Sequence, residues 1–251
     1  MSNLVLELAQ KIEKGELILV DLSYDLYNGM PIYPGDPEYK HEYVSRGDKY
    51  GQATHSKVSM SVHSGTHMDA PLHFVPNGDS VEKFDVYSLL AYGAVLDLSY
   101  KQLGSPITTE DLRKFDPKVK QGRAVMLYTG FAARRGTQDF LYNWPYLSSS
   151  GADFLAERRV RVVGIEAQSI GGWWGRPGFN YPARTTRDEV VYVHHKLLSN
   201  GVLILEGVNN MDKVLNQCEG GEALFLFPAV KIRGAEGAPV RPVAVCEPKR
   251  V

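Results

Sequence analysis

Residues 63–73 have the sequence HSGTHMDAPLH, which places three of the chain's seven histidines and one carboxylate within eleven positions. Imidazole nitrogen and carboxylate oxygen suit a borderline divalent ion such as zinc or manganese. No cysteine lies nearby to suggest a closed structural site. The stretch therefore predicts a metal site that also carries a catalytic group.

His63 and His67 are four residues apart, the spacing that would put both on one face of a helix. A helix is disfavoured here, because Gly65 lowers helix propensity and Pro71 removes a helical hydrogen bond. The preceding segment instead has apolar residues at every second position, which is strand periodicity: Val58, Met60 and Val62. We expect a strand that leads directly into His63 and a tight loop, from which His63, His67 and Asp69 converge on one ion.

Outward from this stretch, short apolar runs alternate with polar helical stretches. The runs of strand length are residues 17–22, 94–98, 124–128, 160–165, 202–205 and 223–227. The helical stretches are residues 109–115, 150–159 and 186–199, preceded by a short amphipathic helix with Val5, Leu8 and Ile12 on its apolar side. This alternation predicts an α/β or α+β architecture around a largely buried sheet. We expect one domain over residues 1–251, with a constrained loop at residues 29–37.

The stretch after Thr186 predicts the second half of the site. Thr186 and Glu189 have capping-box spacing, and Asn200-Gly201 gives the helix a natural end. His194 falls within the apolar stripe of this helix, whereas His195 lies toward its edge. Glu206 follows four apolar residues, where an unpaired charge is costly, so it requires a cation. A metal ion and a buried ion pair with an arginine both meet that need.

Composition excludes some classes of partner. Lys+Arg 28 against Asp+Glu 29 gives a formal net charge of -1, so bulk charge attracts neither nucleic acid nor an anionic membrane. The longest apolar runs fall far short of the ~20 residues of a membrane span. Two cysteines and an N-terminus without a signal-peptide pattern favour a reducing cytoplasm, while a Cys218–Cys246 bridge stays open as an alternative.

The motif resembles the HxGTHxDxPxH signature of the cyclase-like metal-dependent hydrolases, which include bacterial kynurenine formamidase and isatin hydrolase. All seven fixed positions match, and three further blocks agree with the layout of that family. These are residues 20–37, 147–170 and 194–207. The resemblance implies a single-domain swivelling-type β/β/α fold with a largely buried mixed sheet, which assembles into a homodimer or homotetramer.

The resemblance also implies a role for each residue. His63, His67 and Asp69 would bind the metal, and His73 would be the general acid/base. His194 and Glu206 have the spacing of the histidine and glutamate that complete a two-metal site in the formamidase branch. The isatin hydrolase branch uses a single manganese. The expected cofactor is therefore Zn²⁺ or Mn²⁺, as one ion or two.

One segment departs from the family pattern. Formamidase-type members commonly read GIDxxSID where this chain has GIEAQSIG at residues 164–171, and a Gly/Pro-rich insertion follows. Loops at the mouth of a site carry specificity, so this departure affects the substrate more than the chemistry. Trp173 and Trp174 would either clasp an aromatic substrate or pack in the interior. Tyr33 and Pro34 are similar candidates for lining the pocket.

Together these features predict a cytoplasmic hydrolase that cleaves a C–N amide bond of a small aromatic substrate. A divalent ion would acidify water, and His73 would carry the proton to the leaving nitrogen. The leading substrates are an N-formylkynurenine-like anilide and an isatin-like cyclic amide. A metal-dependent lyase or cyclase that adds no water is the alternative, and a noncatalytic metal-binding protein is a third.

Overall fold

The computed structural model describes residues 3–250. Its strands are β1 (Ile18–Asp21), β2 (Lys40–Ser45), β3 (His55–Ser59), β4 (His67–Asp69), β5 (Leu90–Asp97), β6 (Pro106–Ile107), β7 (Ala124–Tyr128), β8 (Tyr146–Leu147), β9 (Val162–Ile165), β10 (Leu203–Glu206), β11 (Glu222–Leu226), β12 (Gly237–Pro239) and β13 (Val243–Cys246). Nine of these strands form one mixed sheet with the order β1-β13-β11-β5-β7-β9-β10-β4-β12. Neighbours from β5 through β7 and β9 to β10 are parallel. The remaining pairs in this sheet are antiparallel.

The continuous apolar runs of β7, β9 and β10 exist because both faces of the central sheet are covered. The helices are α1 (Leu4–Glu13), α2 (Thr109–Arg113), α3 (Gln138–Tyr142), α4 (Ser149–Glu157), α5 (Arg187–Ser199) and α6 (Met211–Gln217). Alternate strand residues pack against α4 and α5 on one side and against α6 on the other. The predicted α/β fold with a largely buried mixed sheet is confirmed. No helix within residues 3–250 is long and apolar enough to cross a membrane.

Helix α5 begins where the sequence indicates, but its capping differs from the prediction. Thr186 Oγ1 accepts a hydrogen bond from the Glu189 N–H, as expected of an N-cap. The Glu189 carboxylate does not close the capping box. It accepts a hydrogen bond from the Ser149 N–H at 2.7 Å and so caps the first turn of α4. The glutamate therefore joins the two helices that pack side by side.

The strand predicted to lead directly into His63 is displaced. β3 ends at Ser59 and pairs only with β2, in a two-stranded hairpin outside the main sheet. All five of its residues are exposed. His63 lies in a turn instead, and the residues that join the main sheet are His67–Asp69 in β4. The expectation that His63 and His67 do not lie on a helix is correct.

Cys218 and Cys246 form a disulfide that links the residue after α6 to the last residue of β13. The sequence left this bridge open. Disulfides persist mainly in oxidising compartments, so the two cysteines no longer favour the expected cytoplasmic location.

Candidate metal centre

The first part of the site is built by strand pairing. Side chains of a strand alternate between faces, so His67 and Asp69 in β4 share one face while Met68 points to the other. β10 runs antiparallel to β4 and pairs Glu206 with His67. The His67 Nε2 atom lies 3.4 Å from Asp69 Oδ1 and 3.3 Å from Glu206 Oε2. All three residues are buried, so two carboxylates and an imidazole meet without access to bulk water.

Backbone carbonyls fix the orientation of two imidazoles. His67 Nδ1 lies 3.1 Å from the Gly65 carbonyl oxygen, and His194 Nδ1 lies 2.7 Å from the Val190 carbonyl oxygen. A carbonyl only accepts, so each Nδ1 carries a proton, and in the neutral imidazole each Nε2 presents a lone pair. His194 Nε2 is 3.4 Å from Glu206 Oε1. This is the tautomer that a metal-ligating histidine uses.

His63 enters the cluster from the turn before β4, and a missing side chain makes room for it. Its Nδ1 lies 3.0 Å from Asp69 Oδ1, and its Nε2 lies 3.6 Å from Glu236 Oε1. Gly237 pairs with Asp69 in the neighbouring strand β12. A Cβ at position 237 would lie 2.8 Å from His63 Cε1, so only glycine leaves the ring in place.

His73 ends a short 3-10 helix, Pro71–His73, that follows β4 directly. Its ring centroid is 4.2 Å from that of His63 and 5.9 Å from that of His194. Burial lowers the pKa of His73 to about 4, with the Asp69 charge opposing this and His63 and His194 adding to it. An imidazole with this pKa is neutral at pH 7 and has a lone pair free to accept a proton.

The donor atoms fit a divalent cation. Buried polar atoms normally have hydrogen-bond partners, yet three in this cluster have none among the described residues: His63 Nε2, His67 Nε2 and Asp69 Oδ2. Two sets of donor atoms close enough to share an ion both include Asp69; one adds His63 and His73, and the other adds His67 and Glu206. Nitrogen and carboxylate oxygen donors of this kind suit zinc or manganese.

Charge crowding in the cluster also favours the binding of a cation. Burial alone would lower the pKa of His67, but contacts with the Asp69 and Glu206 carboxylates raise it to about 10. Burial and Asp69 each act to raise the pKa of Glu206, and His194 and His67 outweigh them and lower it. Without a metal ion, protons on the histidines therefore balance the carboxylates.

Four residues of the cluster form one wall of a cavity of about 390 Å³: His63, His73, His194 and Glu206. Of the four residues expected to contact substrate, Tyr33 and Trp174 line this cavity. Trp173 is fully buried behind it, with its ring centroid 6.1 Å from that of Tyr33 and 4.9 Å from that of Tyr142. Pro34 is buried and faces a different cavity. Trp173 therefore packs in the interior and does not line the cavity.

Several cavity residues were not among those predicted from the sequence. Phe74, Gln168, Arg187 and Glu236 all line the cavity. Arg187 could have been found, because it lies seven residues before His194 and therefore on the same face of α5. Gln168 and Glu236 could not, since they come from segments that only the folded sheet brings to the site.

Glu166, at the position where family members carry the first acid of GIDxxSID, lies outside the cluster. Its carboxylate accepts hydrogen bonds from the backbone N–H groups of Thr129, Phe131 and Ala132 and from the Thr129 hydroxyl. Burial raises its pKa, and these hydrogen bonds oppose the rise. Glu166 therefore anchors the loop after β7 to the end of β9.

Comparison with known proteins places the chain among metal-dependent enzymes. It is 27% identical over 224 residues to the kynurenine formamidase of Bacillus cytotoxicus, covering 89% of this chain and 95% of that protein. Its fold is similar to that of isatin hydrolase A from Labrenzia aggregata bound to benzyl benzoate, with a TM-score of 0.83, 23% identity, and coverage of 98% of this chain and 100% of that one.

A structure titled "Potential Metal-Dependent Hydrolase With Cyclase Activity" is 25% identical, with a TM-score of 0.71 and coverage of 93% of this chain and 100% of that one. The sequence profile of the Cyclase family, described as "Putative cyclase", matches residues 20–171, which include the whole HSGTHMDAPLH motif and its strand β4. The chain therefore belongs to the Cyclase family.

Proposed function

We propose that this protein is a metal-dependent hydrolase that cleaves the C–N amide bond of a small aromatic substrate. The observation that carries the proposal is the buried cluster of histidine and carboxylate donors, of which His63, His194 and Glu206 line a cavity with aromatic walls. Kynurenine formamidases, enzymes named for cleaving a formamide, are relatives along almost the whole chain, which supports the same reaction class.

Five residues would hold the cation: His63, His67, Asp69, His194 and Glu206. Zn²⁺ and Mn²⁺ both suit this donor set, and the shared Asp69 allows one ion or two. An ion bound there supplies Lewis acidity, which acidifies water and polarises a carbonyl. The chain's own contribution is to hold these donors rigidly, through the pairing of β4 with β10 and the carbonyl contacts of two imidazoles.

His73 would move the proton. Hydrolysis of an aryl formamide consumes one water and yields an aryl amine and formic acid, which ionises to formate and a proton. One proton of the water must therefore travel to the leaving nitrogen. His73 lines the cavity beside His63 and His194 without a hydrogen bond that occupies its ring nitrogens in the described residues. It can therefore accept the proton as water attacks and donate it to the amine.

The aromatic walls select the substrate. Tyr33 and Trp174 would contact the aromatic ring of the substrate. Contacts between aromatic rings stabilise a complex beyond the free energy gained by burying their surface. Trp173 and Pro34 would act behind this wall, by supporting Tyr33 and the loop that carries it.

A substrate panel on metal-reconstituted enzyme tests the proposal. We expect hydrolysis of a formyl anilide, an isatin or a related cyclic amide, with solvent oxygen-18 retained in the product. Turnover without incorporation of the label would instead show a lyase or cyclase. The Asp69→Ala variant is the matched control, and it should lose both metal and turnover. Full metal occupancy in that variant would contradict the assignment of Asp69.

The proposal extends to assembly and location. A homodimer or homotetramer is supported by the apolar side of α1, where Leu4 and Val5 are three-quarters exposed in the single chain. Light scattering on the purified protein measures the assembly state. A cytoplasmic location predicts that the Cys218–Cys246 disulfide is reduced in cells. Both cysteines are buried, so the test is maleimide trapping of cells lysed directly into denaturant. Two labelled thiols per chain would agree with the cytoplasm, and none would contradict it.

A further inference from the structure

We infer that Gln168 is a positioning residue whose side-chain carbonyl accepts a hydrogen bond from the N–H of the scissile amide. The inference rests on the proposed amide hydrolysis and specifies its substrate, which must be an amide that keeps a hydrogen on nitrogen. Three features of the structure carry it: the rigid position of Gln168, the state of its Oε1 atom and its place beside His63.

The backbone on both sides of Gln168 is tied to the metal-binding strand β10 and the residue after it. The Ala167 carbonyl accepts a hydrogen bond from the Gly207 N–H at 2.7 Å, and the Ile170 N–H donates to Glu206 Oε1 at 2.6 Å. Gln168 therefore keeps a fixed distance from the donor cluster. It also follows the carboxyl end of the parallel strand β9, the edge at which open α/β sheets bind ligands.

The side-chain carbonyl of Gln168 lacks a partner. Its Oε1 atom is buried and accepts no hydrogen bond from the described residues. A buried acceptor without a donor is costly, and such atoms in native proteins call for a specific partner. The other unpartnered buried atom on this cavity is Nε2 of His63, a proposed metal ligand that a cation would satisfy. Gln168 presents an acceptor of neutral charge, which suits an N–H donor.

The location of Gln168 determines which hydrogen-bond donor can reach its side-chain oxygen. Gln168 and His63 both line the main cavity, and both also line a smaller cavity next to it, together with Tyr33. A group that reaches Gln168 is therefore at the metal cluster, where the scissile amide must lie. The carbonyl of that amide offers no hydrogen. Its N–H is the one donor of the reacting group, and it becomes the amine N–H when the bond breaks.

A matched pair of substrates tests this role. Formanilide and phenyl formate have the same acyl and aryl groups and differ only in N–H against oxygen. We compare the wild type with Gln168→Met, which keeps the length of the side chain and removes the acceptor. We expect kcat/KM for formanilide to fall about tenfold. For phenyl formate, corrected for spontaneous hydrolysis, it should stay within about twofold, with metal content unchanged.

The same substitution at Gln10, in the exposed α1, is the control and should alter neither rate. Equal losses on amide and ester would overturn the inference, because a merely structural role affects both. Loss of metal from Gln168→Met would also overturn it, since Gln168 would then act as a ligand. If the wild-type enzyme hydrolyses no secondary amide of the wider panel, the proposed function itself fails, and this inference fails with it.

Discussion

At the scale of single residues, the cluster is explained by the cost of buried charge. Asp69 and Glu206 both contact His67 Nε2, and burying two carboxylates this close together is unfavourable without a cation between them. Burial would raise the pKa of Asp69, but the neighbouring imidazoles of His73, His63 and His67 outweigh burial and hold that pKa well below its usual value. The carboxylates are therefore ionised, and the site is built to bind positive charge.

His73 should be separable from the metal ligands. We expect His73→Ala to retain metal and to lower kcat by about 10²- to 10⁴-fold, because the variant loses a general acid/base rather than the ion. Elemental analysis and steady-state kinetics on the same preparation measure the two quantities. His73 also belongs to one of the two possible donor sets. Loss of a metal equivalent in the variant would therefore reassign it as a ligand.

We expect Gly237 to affect metal binding only through the position of the His63 ring. In Gly237→Ala the new Cβ would lie 2.8 Å from His63 Cε1, so the ring must move and metal affinity should fall by about tenfold or more. Competition with a chromophoric chelator measures the affinity. The same substitution in a His63→Ala background provides the control, since it should there have little further effect. An equal drop in both backgrounds would refute the steric explanation.

The sequence predicted the residues with strong local patterns. His63, His67, Asp69 and His73 form one motif, and His194 stood out as a histidine in an apolar helical stripe. Trp173 and Trp174 are adjacent, so local sequence could not decide which of them faces the cavity. Only the packing of Trp173 against Tyr33 and Tyr142 separates their roles. Glu236 and Gln168 depend on strand order, which a single sequence does not encode locally.

At the scale of elements, prediction succeeded where burial drives the pattern. β7, β9 and β10 are continuous apolar runs because both faces of the sheet are covered. The alternation that includes Val58 does not reflect burial against the main sheet, since the β2–β3 hairpin is exposed and its two strands pair only with each other. The sequence Gly-Ala-Pro of β12 has low strand propensity, and its pairing with β4 forms only in the assembled sheet.

Helix α2 offers a test of capping energetics away from the site. Asp111 is buried and accepts hydrogen bonds from Lys101, Tyr100 and the Thr108 N–H. Burial opposes ionisation, but Lys101 and these hydrogen bonds hold the pKa of Asp111 below its usual value. The stability that this provides is present above pH 3.8 and is lost as pH falls through the lowered pKa. We expect Asp111→Asn to lower the free energy of unfolding at pH 7 by about 1 to 2 kcal/mol.

Urea denaturation at a series of pH values measures this difference. The gap between Asp111→Asn and the wild type should narrow steadily below pH 3.8. The exposed Glu16, replaced by glutamine, serves as the control and should leave the unfolding midpoint near that of the wild type. A gap that stays constant down to the lowest pH would show that the charge of Asp111 contributes nothing.

At the scale of the whole molecule, the sheet connects distant parts of the chain at the metal site. β4 lies between β10 and β12, so residues from three separate segments meet on one face. The opposite edge is closed by β13 and β1, which place the C-terminal strand against the first strand of the chain. The site therefore depends on the order of the sheet, and long-range strand order is the part of the fold that periodicity leaves undetermined.

The disulfide should stabilise this assembly. Cys218 and Cys246 are 28 residues apart, and closing a loop of this length stabilises a protein by about 3 to 4 kcal/mol in the chain-entropy account. Reduction should therefore lower Tm by about 10 °C. Calorimetry with and without dithiothreitol measures the shift. A double variant, Cys218→Ala with Cys246→Ala, should melt at the lower temperature in both buffers, and a reductant effect that persists in it would assign the shift to something else.

Metal removal should destabilise the whole fold, because the donor cluster joins β4, β10 and α5. A ligand that binds only the folded state stabilises it by about 4 kcal/mol when present at a thousand times its Kd. Stripping the ion with a chelator should thus lower Tm by about 10 °C, and Tm should rise again with the logarithm of free Zn²⁺ or Mn²⁺. Asp69→Ala should show no such dependence. A wild-type Tm independent of metal concentration would mean that the buried carboxylates are balanced by protons alone, and the metal centre would then have to be abandoned.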